Sequence, residues 1–235
     1  MRTTSKMIAA LTIGLTVSLA QSQGATVPFT EHFAGSVANW ANNTGLSLLT
    51  YVPSGGPDGS SYASTDFVFA GAGGGVAGNS VVLFRGQDEF ASSGHAFEGN
   101  WISDGVDRLT AQVRHNAPLP LNFFTRFSGP GNYPGATAVE FVPVLPGVWT
   151  QLAFDIDPSN PQFVSFEGSN YNAVFSDIGH IQIGVNIPAA LASSTTPYTF
   201  GLDQVAIAAV PEPTGLLLAV GAIVSCLIRR RLRAG

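Results

Sequence analysis

Eight short runs divide the middle of this 235-residue chain: DFVFA, SVVLF, RLTAQVRH, LNFFTRF, AVEFVPV, WTQLAFDI, HIQIGVNI and YTFGLDQVAIAAV. Turn-rich pieces such as PSGGPDGSS, GAGGGVAGN, SGPGNYPGA and DPSNP separate them. Gly supplies the positive φ that tight turns need, and Pro withholds the backbone donor a ladder needs. No window sustains a 3.6-residue apolar period, so helical layers are excluded. Many short strands between turn signals specify an all-β sandwich or barrel. LNFFTRF and WTQLAFDI alternate apolar with polar residues, as antiparallel strands with one solvated face do. Trp149, opening WTQLAFDI, reads as a packing residue at the start of a core strand. A single helical turn is expected in FSDIGH, near Asp177.

Both ends of the chain differ from this middle. Arg2 and Lys6 precede an uncharged apolar run from Met7 to Ala20, followed by small residues. That order is a secretory signal peptide over residues 1–24, with cleavage expected after Ala20 or Gly24. At the other end, 14 residues from Gly215 to Ile228 carry no charge, and Arg229, Arg230, Arg231 and Arg233 follow. As a helix they cover about 21 Å of a ~30 Å hydrocarbon core, a short transmembrane helix whose snorkelling arginines stay cytoplasmic. Between strand and helix stands Val210-Pro211-Glu212-Pro213, a stiff spacer.

Residues 25–209 therefore form the exported domain, large enough for one core. They hold four arginines (Arg85, Arg108, Arg114, Arg126), no lysine and fourteen carboxylates, a formal charge of −10. Such a polyanion repels phosphate backbones, which argues against nucleic acid as a partner. The one cysteine, Cys226, lies in the C-terminal apolar run, so no disulfide framework holds the domain.

Familiar catalytic patterns are missing. Gly73-x-Gly75-x-x-Gly78 leads into SVVLF, a strand, where a dinucleotide fingerprint needs a helix, and it reads as a hairpin loop. His32, His95, His115 and His180 show no metal-helix spacing, and there is neither HExxH nor Gly-x-Ser-x-Gly. Asp88/Glu89, Asp104/Asp107 and Asp155/Asp157 are the carboxylate pairs a glycosidase could use. On one strand Asp155 and Asp157 would stand about 6.6 Å apart, yet Asp157-Pro-Ser-Asn-Pro reads as a strand end with an Asx turn. For stacking on sugars the aromatic stock is Trp40, Trp101, Trp149, Tyr51, Tyr62, Tyr133 and Tyr171. Tyr133 in GPGNYPG and Tyr171 in GSNYN lie on loop-like stretches and are the ligand-binding candidates.

Two resemblances follow. The Pro-Glu-Pro motif, short apolar helix and terminal arginine cluster of residues 210–235 resemble the PEP-CTERM sorting signal. The resemblance implies a Gram-negative-type bacterium, export through the Sec machinery, and retention in the inner membrane. It further implies recognition of Pro211, Glu212 and Pro213 by an exosortase, then release to the cell surface or extracellular matrix. Arg229, Arg230, Arg231 and Arg233 would fix topology. The start FTEHF…NW and the end FGLDQVAI are similar to carbohydrate-binding-module jelly rolls. That likeness implies a calcium ion shared by an early Glu and a late Asp, here Glu31 and Asp203, which can meet because first and last strands are often neighbours in a sandwich.

The expectation is an exported, antiparallel jelly-roll-like β-sandwich, non-catalytic and binding extracellular polysaccharide, with calcium as its one candidate cofactor. A secreted glycan hydrolase and a structural matrix component without a specific ligand stand as alternatives.

Overall fold

The computed structural model describes residues 24–209, and they form two antiparallel sheets facing each other. Residues 1–23 of the signal peptide, Pro211, Glu212, Pro213, the C-terminal helix with Cys226, and the terminal arginines lie outside the described residues. Among the described residues no helix is long and apolar enough to cross a membrane.

Sheet A holds β1 (Phe29–Glu31), β2 (Thr50–Val52), β3 (Tyr62–Val68), β5 (Arg108–His115), β8 (Thr150–Asp155) and β11 (Pro197–Ala208), in the order β2-β3-β11-β5-β8 with β1 also on β11. Sheet B holds β4 (Ser80–Gln87), β6 (Phe123–Ser128), β7 (Gly135–Val139), β9 (Phe163–Ser165) and β10 (His180–Asn186), in the order β4-β10-β6-β7-β9. All eight sequence runs supply strand residues. β1, β2 and β9 are three-residue strands whose alternation is too short to read.

Period-2 alternation explains the filling. Leu109, Ala111 and Val113 of β5, Leu152 and Phe154 of β8, and Phe200 and Leu202 of β11 point inward from sheet A. Phe123 and Phe127 of β6 and Ile181 and Ile183 of β10 meet them from sheet B in one core. Trp40 and Trp101 are fully buried. Trp101 stands edge-on to Phe127 at 5.5 Å, and its Nε1 donates to the Phe97 carbonyl. Trp40 Nε1 donates to Ser93 Oγ at 2.9 Å, so both indoles meet their polar requirement.

Two expectations are corrected. The Gly73–Gly78 loop is not a hairpin, because β3 and β4 belong to different sheets. Its glycines at positive φ (Gly73, Gly74, Gly75 and Gly78) carry the chain over the sandwich edge. The helical turn, α1 (Tyr171–Phe175), lies just ahead of FSDIGH rather than within it. Asn170 caps α1 by accepting from the Ala173 N–H at 3.0 Å, so the turn starts where a capping side chain is available.

β11 is the hinge of sheet A. Its first half lies between β3 and β5, and its last residues lie between β1 and β5. The changeover falls at a bulge after Asp203, where Gln204 takes φ 46°.

Candidate functional site

The outer face of sheet B is polar. Register places Arg85, Gln182, Arg126 and Thr137 in one cross-strand row, and Gln87, His180, Ser128 and Gly135 in the next. The loop between β6 and β7 folds back over these rows. Asn132 sits there at φ 58°, a left-handed conformation that Asn tolerates.

One hydrogen-bonded network crosses the face. Arg126 donates from Nε and Nη2 to the two Glu167 oxygens at 2.5 and 2.7 Å. It also donates from Nη1 to Asn132 Oδ1 and from Nη2 to the Asn132 carbonyl, both at 2.8 Å. Gln182 Nε2 donates to the same Asn132 Oδ1 at 3.0 Å. His180, 2% exposed, holds Asp88 Oδ1 at 3.0 Å and Glu89 Oε2 at 2.8 Å through Nε2. Its Nδ1 faces Asn132 Oδ1 at 3.4 Å. Gln87 Nε2 reaches the other Glu89 oxygen at 3.2 Å.

Electrostatics follow from these contacts. Hydrogen bonding to Arg126 holds the Glu167 carboxyl below its ordinary range, against the opposing effect of burial. Burial pushes Asp88 up, but its contacts with Glu89 and His180 outweigh that and leave it lowered. The floor of the face, His180 and Gln182, is buried, while Asn132, Tyr133 and Glu89 reach solvent. Tyr133 is 63% exposed and donates its hydroxyl to the Glu167 carbonyl at 3.2 Å. An exposed ring is thereby tethered at the edge of a set of planar donors and acceptors.

Asp88, Glu89 and His180 each offer a ligand atom, all within 4.8 Å of one another. Imidazole with two carboxylates is a donor set that borderline divalent metals accept. Without an ion the same geometry is a satisfied ion-pair cluster.

Other sequence candidates fall elsewhere. Tyr171 lies off this face: its ring packs on Phe175 at 4.8 Å and its hydroxyl donates to the Ile156 carbonyl. Glu31 and Asp203 occupy adjoining strands, with Glu31 opposite Val205 in register. Glu31 Oε1 accepts from the Phe33 N–H at 2.7 Å. Asp203 is fully buried, and burial raises its carboxyl above the ordinary range. It accepts from the Ser60 hydroxyl at 3.0 Å and the Gln204 N–H at 2.7 Å. A Cβ on Gly56 would lie 2.9 Å from Asp203 Oδ2, so the loop before β3 closes directly over this carboxylate.

The remaining carboxylates are engaged. Asp155 pairs with Arg108 at 2.7 Å. Asp157 lies beyond β8 and accepts from the Ser159 N–H and hydroxyl at 2.7 and 2.6 Å, the expected Asx turn. Those bonds hold it below the ordinary carboxylate range. Asp104 accepts from the Ala25 N–H, and Asp107 lies with Asp155 and Asp157 along one cavity wall.

Sequence reading missed Arg126, Asn132, Glu167 and Gln182. The alternation of LNFFTRF carries the available signal, since it sets Arg126 on the polar side of its strand. Trp149 was expected in the core and instead stands on the outer face of sheet A. Its Nε1 donates to the Gly55 carbonyl at 2.9 Å.

No family model matches the sequence, and no curated protein matches it. Among solved structures, the chain is similar to the CBM22-1–GH10 modules of Clostridium thermocellum xylanase 10B complexed with xylohexaose (TM-score 0.46, 16% identity, 79% of this chain and 29% of that one). It is also similar to an exo-β-agarase (TM-score 0.49, 11% identity, 80% of this chain and 25% of that one). A third is the C-terminal family 22 carbohydrate-binding module of the same Clostridium xylanase (TM-score 0.44, 12% identity, 78% of this chain and 94% of that one). The chain thus spans under a third of the first two. Likeness at this level leaves the functional reading to the chain's own residues.

Proposed function

We propose that this protein is a non-catalytic, polysaccharide-binding β-sandwich that meets its ligand on the outer face of sheet B. The network joining Arg126, Asn132, Gln182, His180 and Glu167 beneath exposed Tyr133 carries the reading. Sugars present hydroxyls that both donate and accept, and a C–H face that packs on an aromatic ring. Planar amide, guanidinium and carboxylate groups fixed by one another, beside a tethered ring, match both demands with little side-chain entropy left to lose on binding. Against hydrolysis, Asp155 is ion-paired and Asp157, held ionised by its own turn, is unsuited to act as a general acid.

The reading includes export through the Sec machinery and sorting by an exosortase through Pro211, Glu212 and Pro213. Alanine at those three positions is expected to leave unprocessed precursor in the inner membrane; unchanged processing and surface release would refute the sorting step. It also includes a structural calcium ion held by Glu31 and Asp203. The buried carboxylate closed over by the Gly56 loop, with Asp58 acting on it as a second acidic group, supports that site, since Ca²⁺ takes carboxylate oxygens.

The direct test is a glycan-array screen of the purified protein with calcium and with chelator. Binding to one polysaccharide class, weakened by Tyr133→Ala and by Asn132→Ala, is expected. A blank array from cooperatively folded protein would overturn the reading in favour of a matrix component without a specific ligand.

A further inference from the structure

The opposite face of the sandwich carries a second feature. On sheet A, Gly201 of β11 lies directly across from Arg114 of β5 and Ser64 of β3. A Cβ at Gly201 would lie 2.8 Å from the Trp149 ring and 3.2 Å from the Tyr62 ring. The two rings therefore rest on bare backbone, edge to face at 5.2 Å and 82°. Trp149 is pinned by its hydrogen bond to the Gly55 carbonyl. Beside the rings is a cavity lined by Tyr62, Arg114, Asn116, Thr199 and Gly201, with His115 at its wall.

The charges around it are unusual for this domain. Arg126 is paired with Glu167, Arg108 with Asp155, and Arg85 donates to the Asn43 carbonyl. The Arg114 side chain makes no hydrogen bond or ion pair among the described residues, although carboxylates outnumber arginines fourteen to four. No Asp or Glu lines its cavity, whereas the other cavities described are each walled by at least one carboxylate. Asp66, one row away, is engaged by the Thr199 hydroxyl at 2.7 Å. Asn116 Oδ1 accepts from the Thr199 N–H at 2.8 Å, and its side-chain amide N–H₂ is left to donate.

We propose that this cavity is a second saccharide site, selective for sugar units that bear a carboxylate. The pyranose C–H face would pack on Trp149 and Tyr62. The carboxylate would take the two parallel N–H donors of Arg114, the geometry that guanidinium offers and ammonium does not. Asn116 would donate to a ring hydroxyl. The domain's net negative charge does not forbid this, because at physiological salt charges beyond about 8 Å are largely screened. The site lies on the other sheet from the face proposed above and stands or falls separately from it.

The test exploits the tryptophans. Trp40 and Trp101 are fully buried, so Trp149 is the indole partly open to solvent among the described residues. The purified protein is titrated with a hexauronate oligosaccharide and with a neutral hexasaccharide, reading tryptophan emission, while calorimetry reads total binding. A saturable emission change with the uronate only is expected. Arg114→Gln should weaken it about tenfold, as loss of one charge-assisted contact would. Trp149→Phe should keep the fold while abolishing the emission change and weakening the calorimetric uronate binding. Gly201→Ala, which pushes the rings off the sheet, should weaken binding without changing Arg114. Equal response to the neutral sugar, or unchanged affinity in Arg114→Gln, overturns the proposal. Calorimetric binding of neutral glycan with Trp149 silent toward both sugars supports sheet B and removes this site; a uronate response at Trp149 with no neutral binding does the reverse.

Discussion

Arg126 and Glu167, 41 positions apart in the chain, meet side by side through two hydrogen bonds on the outer face of sheet B. Gly135 lies beneath them. A Cβ there would come within 2.6 Å of both Arg126 Nη2 and Glu167 Oε2. Gly135→Ala is therefore expected to part the pair, and Glu167→Gln to remove its charge. Each should cost about 1.5–3 kcal/mol, the range for hydrogen bonds to charged groups. Urea-denaturation midpoints measure both.

The same pair sets a pH dependence. Arg126 depresses the folded-state carboxyl of Glu167 below its ordinary 4.5. A depressed acid stabilises the fold above its unfolded value and loses that contribution as pH falls through its folded value. Melting temperatures of the wild type and Glu167→Gln should thus differ at pH 7 and converge on acidification below about pH 4.5. A constant gap down to pH 2 would show that the ion pair is not the source.

His180 Nε2 touches both Asp88 and Glu89, whose carboxyls also contact each other. His180→Ala leaves the two carboxylates in contact without the imidazole they share. A loss of about 2 kcal/mol is expected, less than for a fully buried pair because Glu89 is half exposed. Adding Asp88→Asn to His180→Ala should recover part of it, which a cavity effect alone would not do. A double-mutant cycle with no coupling would assign the cost to packing.

How much of this was legible in the sequence depends on range. The strand runs were readable because alternation is local and Gly/Pro punctuation frames it. The pairing of first and last strands was also readable, and β1 does lie on β11. The network was not. His180 and Asp88 are 92 positions apart, and nothing in HIQIGVNI marks its histidine as the partner of GQDEF. Trp149 was misplaced for a subtler reason. An indole at a strand start ordinarily packs inward, but the missing Cβ of Gly201 opens a seat for it on the outer face. α1 was displaced by a few residues because its cap, Asn170, and not the apolar content, decides where it begins.

Asp203 offers a test of calcium. Its carboxyl is buried and raised, so without a cation its contribution is favourable at low pH and lost as pH rises through the folded value. In chelator, Asp203→Asn should match or exceed wild-type stability at pH 7, an advantage that builds as pH rises from the ordinary carboxylate range through the raised folded value. With calcium at a hundred times its dissociation constant, the wild type should gain about 2.7 kcal/mol and the variant nothing. A wild type whose melting temperature ignores both calcium and chelator would leave Asp203 as a buried acid hydrogen-bonded to Ser60, and the calcium site would be abandoned.

Gly184 of β10 gives the sharpest steric prediction. It sits at the register shift that follows Ile183, where β10 leaves alignment with β4. A Cβ there would lie 2.1 Å from the Val81 carbonyl oxygen and 2.7 Å from the Phe124 ring. The ring can swing away, but the carbonyl belongs to the neighbouring strand and can move only if the ladder does. Gly184→Ala should therefore destabilise by about 3 kcal/mol, the upper range for overpacking. Truncating the ring as well, in Gly184→Ala/Phe124→Ala, should not restore stability, because the backbone contact remains. If either variant fails to accumulate as folded protein, limited proteolysis of the material formed should cut first in β4 and β10. Rescue by Phe124→Ala would show that the ring, and not the Val81 carbonyl, keeps position 184 a glycine.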